Sequence, residues 1–217
     1  MPGTESCLAY LHGFASGPLS TKGQDLAARL ARRGVELRLP DLNRPSFARL
    51  TVTGALEAVD EMVAAGAPEA SWRFIGSSFG GYVAARWAEL RPERVDRLLL
   101  LCPGFDLASR WPHLLGAEEF ARWERDGELL LPDGAGHPTP VHWGFVQDAR
   151  RHPPFPVVPC PTRIVHGTRD EVVLVEGSRR YAAGRPDVEL IEVDDDHALL
   201  DSMDAIAGEA EAFLLSS

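Results

Sequence analysis

The chain has 217 residues with 45% hydrophobic side chains, which fits one packed α/β domain and excludes a disordered or fibrous class. Its formal net charge of −10, from 32 acidic against 22 basic residues, repels phosphate backbones and argues against a nucleic-acid partner. No stretch approaches the roughly 20 apolar residues of a membrane span, the start Met1-Pro2-Gly3-Thr4-Glu5-Ser6 lacks a secretory signal's basic region, and Cys7, Cys102 and Cys160 have neither disulfide nor zinc spacing, so a reducing, cytoplasmic setting is expected.

Apolar runs alternate with amphipathic ones, the pattern of βαβ units and a mainly parallel sheet. A strand is predicted over 7–11. A helix follows over 20–33, with Leu26 and Leu30 on one face and Gly34 as its stop. A short strand is expected over 35–39. The next helix, over 54–65, carries Leu56, Val59 and Val63 at helical spacing. A buried strand over 72–76 runs into Ser77 and Ser78. The helix after it, 79–90, stops before Pro92, which restricts Arg91 and cannot continue the helix. The run 95–102 is the most apolar and belongs at the sheet centre, where both faces are covered. The alternation then breaks. Segment 104–159 holds Trp111, Trp123 and Trp143 and many prolines. A structureless loop of that length is unusual in a compact domain, so a small helical cap inserted into a single domain over 1–217 is expected. The core resumes with a strand at 162–166, a helix at 175–183, a strand at 188–193 and a last helix at 202–215.

The strongest local signal is Gly76-Ser77-Ser78-Phe79-Gly80, which is G-x-S-x-G between a predicted strand and a predicted helix. A nucleophilic serine must stand on a very tight turn to face substrate, and that turn crowds the positions two before and two after it. It also places the serine at a helix N-terminus, which favours developing negative charge. The bland alternative is a glycine-rich strand–helix junction. Ser77 competes with Ser78, but only Ser78 has glycine two residues away on both sides.

Leu11-His12-Gly13-Phe14 follows the first strand. Its loop can aim a backbone N–H at an oxyanion, so the amides of Phe14 and Phe79 are the expected donors. An ordinary strand-end turn is the alternative, and His12 reads as a packing or hydrogen-bonding residue. His166-Gly167-Thr168-Arg169-Asp170-Glu171 also follows a strand, and a carboxylate at a strand's carboxyl end sits on the functional edge of an open sheet. Asp170 is the expected acid, with Glu171 and Asp106 as alternatives and His166 as structural. Asp194-Asp195-Asp196-His197 precedes the last helix. His197 is the expected base, because Ser78, Asp170, His197 is the nucleophile–acid–base order of one hydrolase architecture. Its three aspartates read as turn and capping residues rather than metal ligands.

Taken together, Tyr10-Leu11-His12-Gly13-Phe14-Ala15-Ser16-Gly17-Pro18, Gly76-Ser77-Ser78-Phe79-Gly80-Gly81 and His166-Gly167-Thr168-Arg169-Asp170 resemble the α/β-hydrolase superfamily. Within it they look like the small bacterial esterases and thioesterases of the YqiA type. The resemblance implies an α/β-hydrolase fold, hydrolysis of a carboxylic ester or thioester of a small acyl substrate, a Ser–Asp–His triad and no cofactor. The insertion between Cys102 and Cys160 is longer than in the shortest members. An acyltransferase or a hydrolase of an amide or C–C bond on the same residues is the rival chemistry. A non-catalytic binding protein of the same fold is the rival from another class.

Overall fold

The computed structural model describes residues 6–216; residues 1–5, read above for a leader, and residue 217 lie outside that range. Six parallel strands form the central sheet in the order β2-β1-β3-β4-β7-β8. They are β1 (Ser6–Leu11), β2 (Leu37–Arg38), β3 (Ser71–Ser77), β4 (Val95–Leu101), β7 (Thr162–Gly167) and β8 (Val188–Val193). The most apolar run thus lies at the sheet centre, β4 pairing with β3 on one side and β7 on the other.

Side chains alternate across the pleat. Leu8, Tyr10, Ile75, Leu99, Leu101 and Val165 face one layer, where α1 (Thr21–Ala31) and α8 (Met203–Glu209) cover them with Leu26, Leu30 and Ile206. Ala9, Leu11, Phe74, Leu98, Leu100 and Ile164 face the other layer, under α2 (Val52–Ala64) and α3 (Phe79–Leu90). Ser20 and Thr51 cap α1 and α2 by accepting the amides of Gly23 and Gly54 at 3.3 and 2.9 Å. Helix α7 (Val175–Ala182) joins β7 to β8. The C-terminal helix changes character after Glu209 and closes in a π-helical turn over Ala210–Leu214.

Between β4 and β7 the chain leaves the sheet and builds α4 (Leu107–Leu115), α5 (Ala117–Asp126), β5 (Glu128–Pro132), β6 (Pro138–His142) and α6 (Gly144–Ala149). The insertion is therefore helical in part only, because β5 and β6 pair as an antiparallel hairpin. Leu129 and Leu131 are buried while Glu128 and Leu130 are exposed, a strand's period of two. Pro132, Pro138 and Pro140 are tolerated because both strands are edges. Asp133 sets the turn by accepting the amides of Ala135 and His137, each at 2.9 Å. Trp111, Trp123 and Trp143 are buried. They meet edge-to-face at 5.3 and 5.5 Å, and Trp111 packs on Phe14 at 5.2 Å. The tryptophans therefore extend the main core.

Candidate active site

β3 delivers Ser77 and Ser78 to the carboxyl edge of the sheet, and α3 starts at the next residue. Ser78 has φ 51° and ψ −113°, a conformation that costs energy for any residue with a Cβ. Its surroundings hold it there. The Ser78 N–H donates to Leu101 O at 2.8 Å, and Ser78 O accepts from Gly104 N at 2.9 Å. The flanking glycines are required by space. A Cβ on Gly80 would lie 2.1 Å from Leu11 O, and one on Gly76 would lie 2.6 Å from Gly80 O. Both obstacles are backbone and cannot turn aside. Ser77 is buried beside the Tyr10 hydroxyl and so faces the core.

Asp170 lies in the turn after β7, buried, with all of its lone-pair directions in use. Its Oδ1 accepts the amides of Val172 and Val173 at 2.9 and 2.7 Å. Its Oδ2 faces His197 Nδ1 at 2.7 Å and His166 Nε2 at 3.3 Å. Burial alone would raise the carboxyl pKa. The hydrogen bonds from His166 and His197, with the charge of His197, outweigh it and hold the group well below the usual carboxylate range. A carboxylate only accepts, so His197 carries its proton on Nδ1 and turns an Nε2 lone pair toward Ser78 Oγ, 3.0 Å away. The loop that carries His197 is shaped by its aspartates. Asp195 accepts the amides of Asp196 and Ser202 at 2.7 and 2.9 Å, and Asp196 accepts that of Ala198 at 2.8 Å. The structure thus brings Ser78, His197 and Asp170 into one hydrogen-bonded row.

The alternatives stand apart from that row. Asp106 caps α4 in a left-handed conformation, and its amide donates to Pro154 O at 2.8 Å. Glu171 is exposed on the rim. His12 is buried, with Nε2 accepting the Leu42 amide at 3.0 Å and Nδ1 donating to Gly13 O at 2.9 Å. Burial pushes its pKa down, so its task is to fix the loop as a neutral ring.

That loop lies against Ser78, since a Cβ on Gly13 would be 3.6 Å from Ser78 Cβ. The Phe14 ring is clamped by Phe47 and Phe145 at 5.0 and 5.2 Å. Among the described residues, neither the Phe14 nor the Phe79 amide has a protein acceptor. Phe79 opens α3, where the helix dipole favours negative charge. A cleft of about 850 Å³ exposes Ser78 and His197 and is edged by Phe14, Lys22 and Gly134. Gly134 belongs to the hairpin turn, so the insertion reaches the mouth.

Sequence reasoning treated His166 as structural and missed its place behind Asp170. His166 is fully buried, accepts from Ser178 Oγ at 2.8 Å and donates from Nε2 to Val173 O at 2.7 Å. No spacing in the chain marks this place, which the turn after β7 creates. Cys102, His166 and Asp170 are close enough to hold an ion, but their donors are committed. Both imidazole nitrogens and both carboxylate oxygens are in use, and burial pushes the Cys102 thiol up, so it keeps its proton.

Residues 7–214 match the model of the Uncharacterised protein family (UPF0227). The chain belongs to that family. It is 32% identical over 125 residues to palmitoyl-protein thioesterase ABHD10, mitochondrial, of Mus musculus, covering 54% of this chain and 42% of that protein. It is 37% identical over 110 residues to the pimeloyl-[acyl-carrier protein] methyl ester esterase of Pectobacterium carotovorum subsp. carotovorum (strain PC1), covering 48% and 40%. The matches thus span less than half the length of these curated relatives. Among solved structures, alpha/beta hydrolase domain-containing protein 10 from mouse superposes with a TM-score of 0.79 at 24% identity, covering 96% of this chain and 90% of that one. Est1E from Butyrivibrio proteoclasticus with ferulic acid bound gives 0.79 at 20% identity, covering 97% and 88%. These likenesses fix the fold as that of the α/β-hydrolases. Among the described residues, no helix is long and apolar enough to cross a membrane.

Proposed function

We propose that this protein is a serine hydrolase that cleaves a carboxylic ester or thioester of a small acyl substrate, with Ser78 as nucleophile, His197 as general base and Asp170 as the acid that orients it. The observation that carries this reading is the unbroken row from Ser78 Oγ to His197 at 3.0 Å and from His197 to Asp170 at 2.7 Å. A core packed for stability alone has no use for a serine held at positive φ on a cleft floor.

The mechanism is acyl transfer in two steps. His197 Nε2 takes the Ser78 proton as Oγ attacks the carbonyl carbon. Asp170 keeps the proton on Nδ1 and stabilises the imidazolium. The Phe14 and Phe79 amides receive the oxyanion, each contributing about 3 kcal/mol to the transition state. The imidazolium then protonates the leaving alcohol or thiol, and water, activated by His197, releases the acid. The curated relatives, a thioesterase and a methyl ester esterase, between them represent the thioester and the carboxylic ester of this reading. In this reading the chain works as a single α/β-hydrolase unit, and 104–159 is its cap. Cys7, Cys102 and Cys160 are free thiols, which suits action in a reducing, cytoplasmic setting.

The test is a fluorophosphonate probe together with a screen of p-nitrophenyl esters and acyl thioesters. Stable labelling with turnover of either class supports the reading. No labelling and no turnover point to a binding protein of the same fold.

A further inference from the structure

We propose that a second cavity, between α4, α7 and the loop after Asp170, holds the acyl chain of the substrate, and that this chain is apolar and of medium length. The proposal rests on the acyl-transfer reading of Ser78 and names the substrate class of that site.

Two compartments lie near Ser78. The cleft that exposes Ser78 is edged by Ser16, Ser20, Lys22, Arg169 and Asp196. It suits a polar leaving alcohol or thiol. The second cavity, of about 330 Å³, carries Phe105, Leu114, Phe155, Val173 and Leu174 in its wall, and charged Asp106, Arg110, Glu176 and Arg180 complete the lining. The two share Glu171 and Val172, so one short stretch of the acid loop divides them. Pro103 also lines the second cavity, and the next residue, Gly104, donates its amide to Ser78 O at 2.9 Å. The cavity therefore borders the backbone that carries Ser78, and the Glu171–Val172 stretch separates it from the Ser78 side chain.

The dividing stretch is built to keep its backbone fixed. Arg110 Nη2 donates to Val172 O at 2.8 Å, while Asp170 holds the amides of Val172 and Val173. What remains free is the Val172 side chain. Leu114, Val172 and Leu174 are 41, 43 and 61% exposed, and a bound chain would take this apolar surface out of water. Gly177 offers the place to test the cavity. It lies inside α7, where glycine is unfavourable, lines the cavity, and a Cβ there would meet nothing within 4 Å. Its lack of a side chain makes room. With a methylene taken as about the size of a water, roughly 30 Å³, the volume admits a chain on the order of ten carbons.

The experiment compares Gly177→Leu with a matched control, Gly208→Leu, an exposed site in α8 with equally open space. The readouts are kcat/KM for p-nitrophenyl decanoate and acetate, and the Kd of decanoate. Gly177→Leu should lower the decanoate-to-acetate ratio at least tenfold and weaken decanoate binding at least tenfold. Gly208→Leu should change neither. A ratio or a Kd that Gly177→Leu leaves as in the unmodified protein overturns the chain site. If that protein neither hydrolyses the acetate ester nor takes up a fluorophosphonate, the reading of Ser78 fails separately. Decanoate binding then decides the chain site alone: loss in Gly177→Leu supports it, and no binding or no loss overturns it.

Discussion

Asp170→Asn gives the sharpest forecast, because the structure says which way the amide must point. The Val172 and Val173 amides both donate to Oδ1. An asparagine keeps its own oxygen there and puts its NH2 group where Oδ2 was. That NH2 faces His197 Nδ1, 2.7 Å away in the unmodified protein. Two donors cannot share one bond, so His197 moves its proton to Nε2. Nε2 then donates toward Ser78 Oγ, and the base is gone. The substitution also removes the negative charge that stabilises the imidazolium. The same loss of tautomer control costs roughly 10⁴ in kcat where it acts alone, which is about 5 kcal/mol at about 1.36 kcal/mol per factor of ten. His166 does not relieve the conflict, since its Nε2–H, which lies 2.7 Å from Val173 O and 3.3 Å from Oδ2, would meet the new NH2 as a second donor. The assay is kcat on p-nitrophenyl acetate, with thermal unfolding to show that the variant folds. Asp106→Asn and Glu171→Gln should cost far less. A folded Asp170→Asn protein within tenfold of normal kcat would refute the reasoning, as would a crippled Asp106→Asn.

Three further outcomes are expected. Protonation of His197 Nε2 removes the acceptor for the Ser78 proton, so kcat/KM should fall on the acid side with a one-proton slope; a profile with no acid limb removes His197 as the base. Burial holds the folded-state pKa of His12 below the unfolded value of about 6.5. The unfolded chain therefore takes the proton first, and His12 contributes stability that is lost as pH falls from about 6.5 through its folded pKa. Urea unfolding at descending pH should show a smaller loss in His12→Gln, and an equal loss contradicts this. Gly80→Ala places a methyl 2.1 Å from Leu11 O and 2.6 Å from His12 O. It should destabilise by about 3 kcal/mol or more and abolish turnover, and a normal melting temperature with full activity contradicts the tight elbow.

Much of the fold was legible because it is written in local periodicity. The strand and helix on either side of Ser78 follow from an apolar run, two glycines and a serine. The parallel pairing of β3, β4, β7 and β8 follows from alternation with helices. The insertion was less legible. Its hairpin hides behind Pro132, Pro138 and Pro140, which argue against strands unless both are known to be edges. Its tryptophans gave no direction, since a large apolar ring serves a core or a pocket equally well, and packing against Phe14 and Phe145 decides for the core. His166 and Arg110 carried no readable role. The first lies behind the acid only because the 167–170 turn folds back on β7, and the second meets the Val172 carbonyl from 62 residues away in sequence. Contacts of that kind belong to the tertiary structure and leave no spacing in the chain.

The central claim is that Ser78 is the nucleophile, and covalent capture tests it most directly. The protein is treated with a fluorophosphonate, digested, and the modified residue located by mass spectrometry, alongside Ser78→Ala and Ser77→Ala. The account predicts phosphonylation on Ser78, no labelling and no turnover in a folded Ser78→Ala, and substantial activity in Ser77→Ala. Label on Ser77, or ester hydrolysis that survives Ser78→Ala, would contradict it.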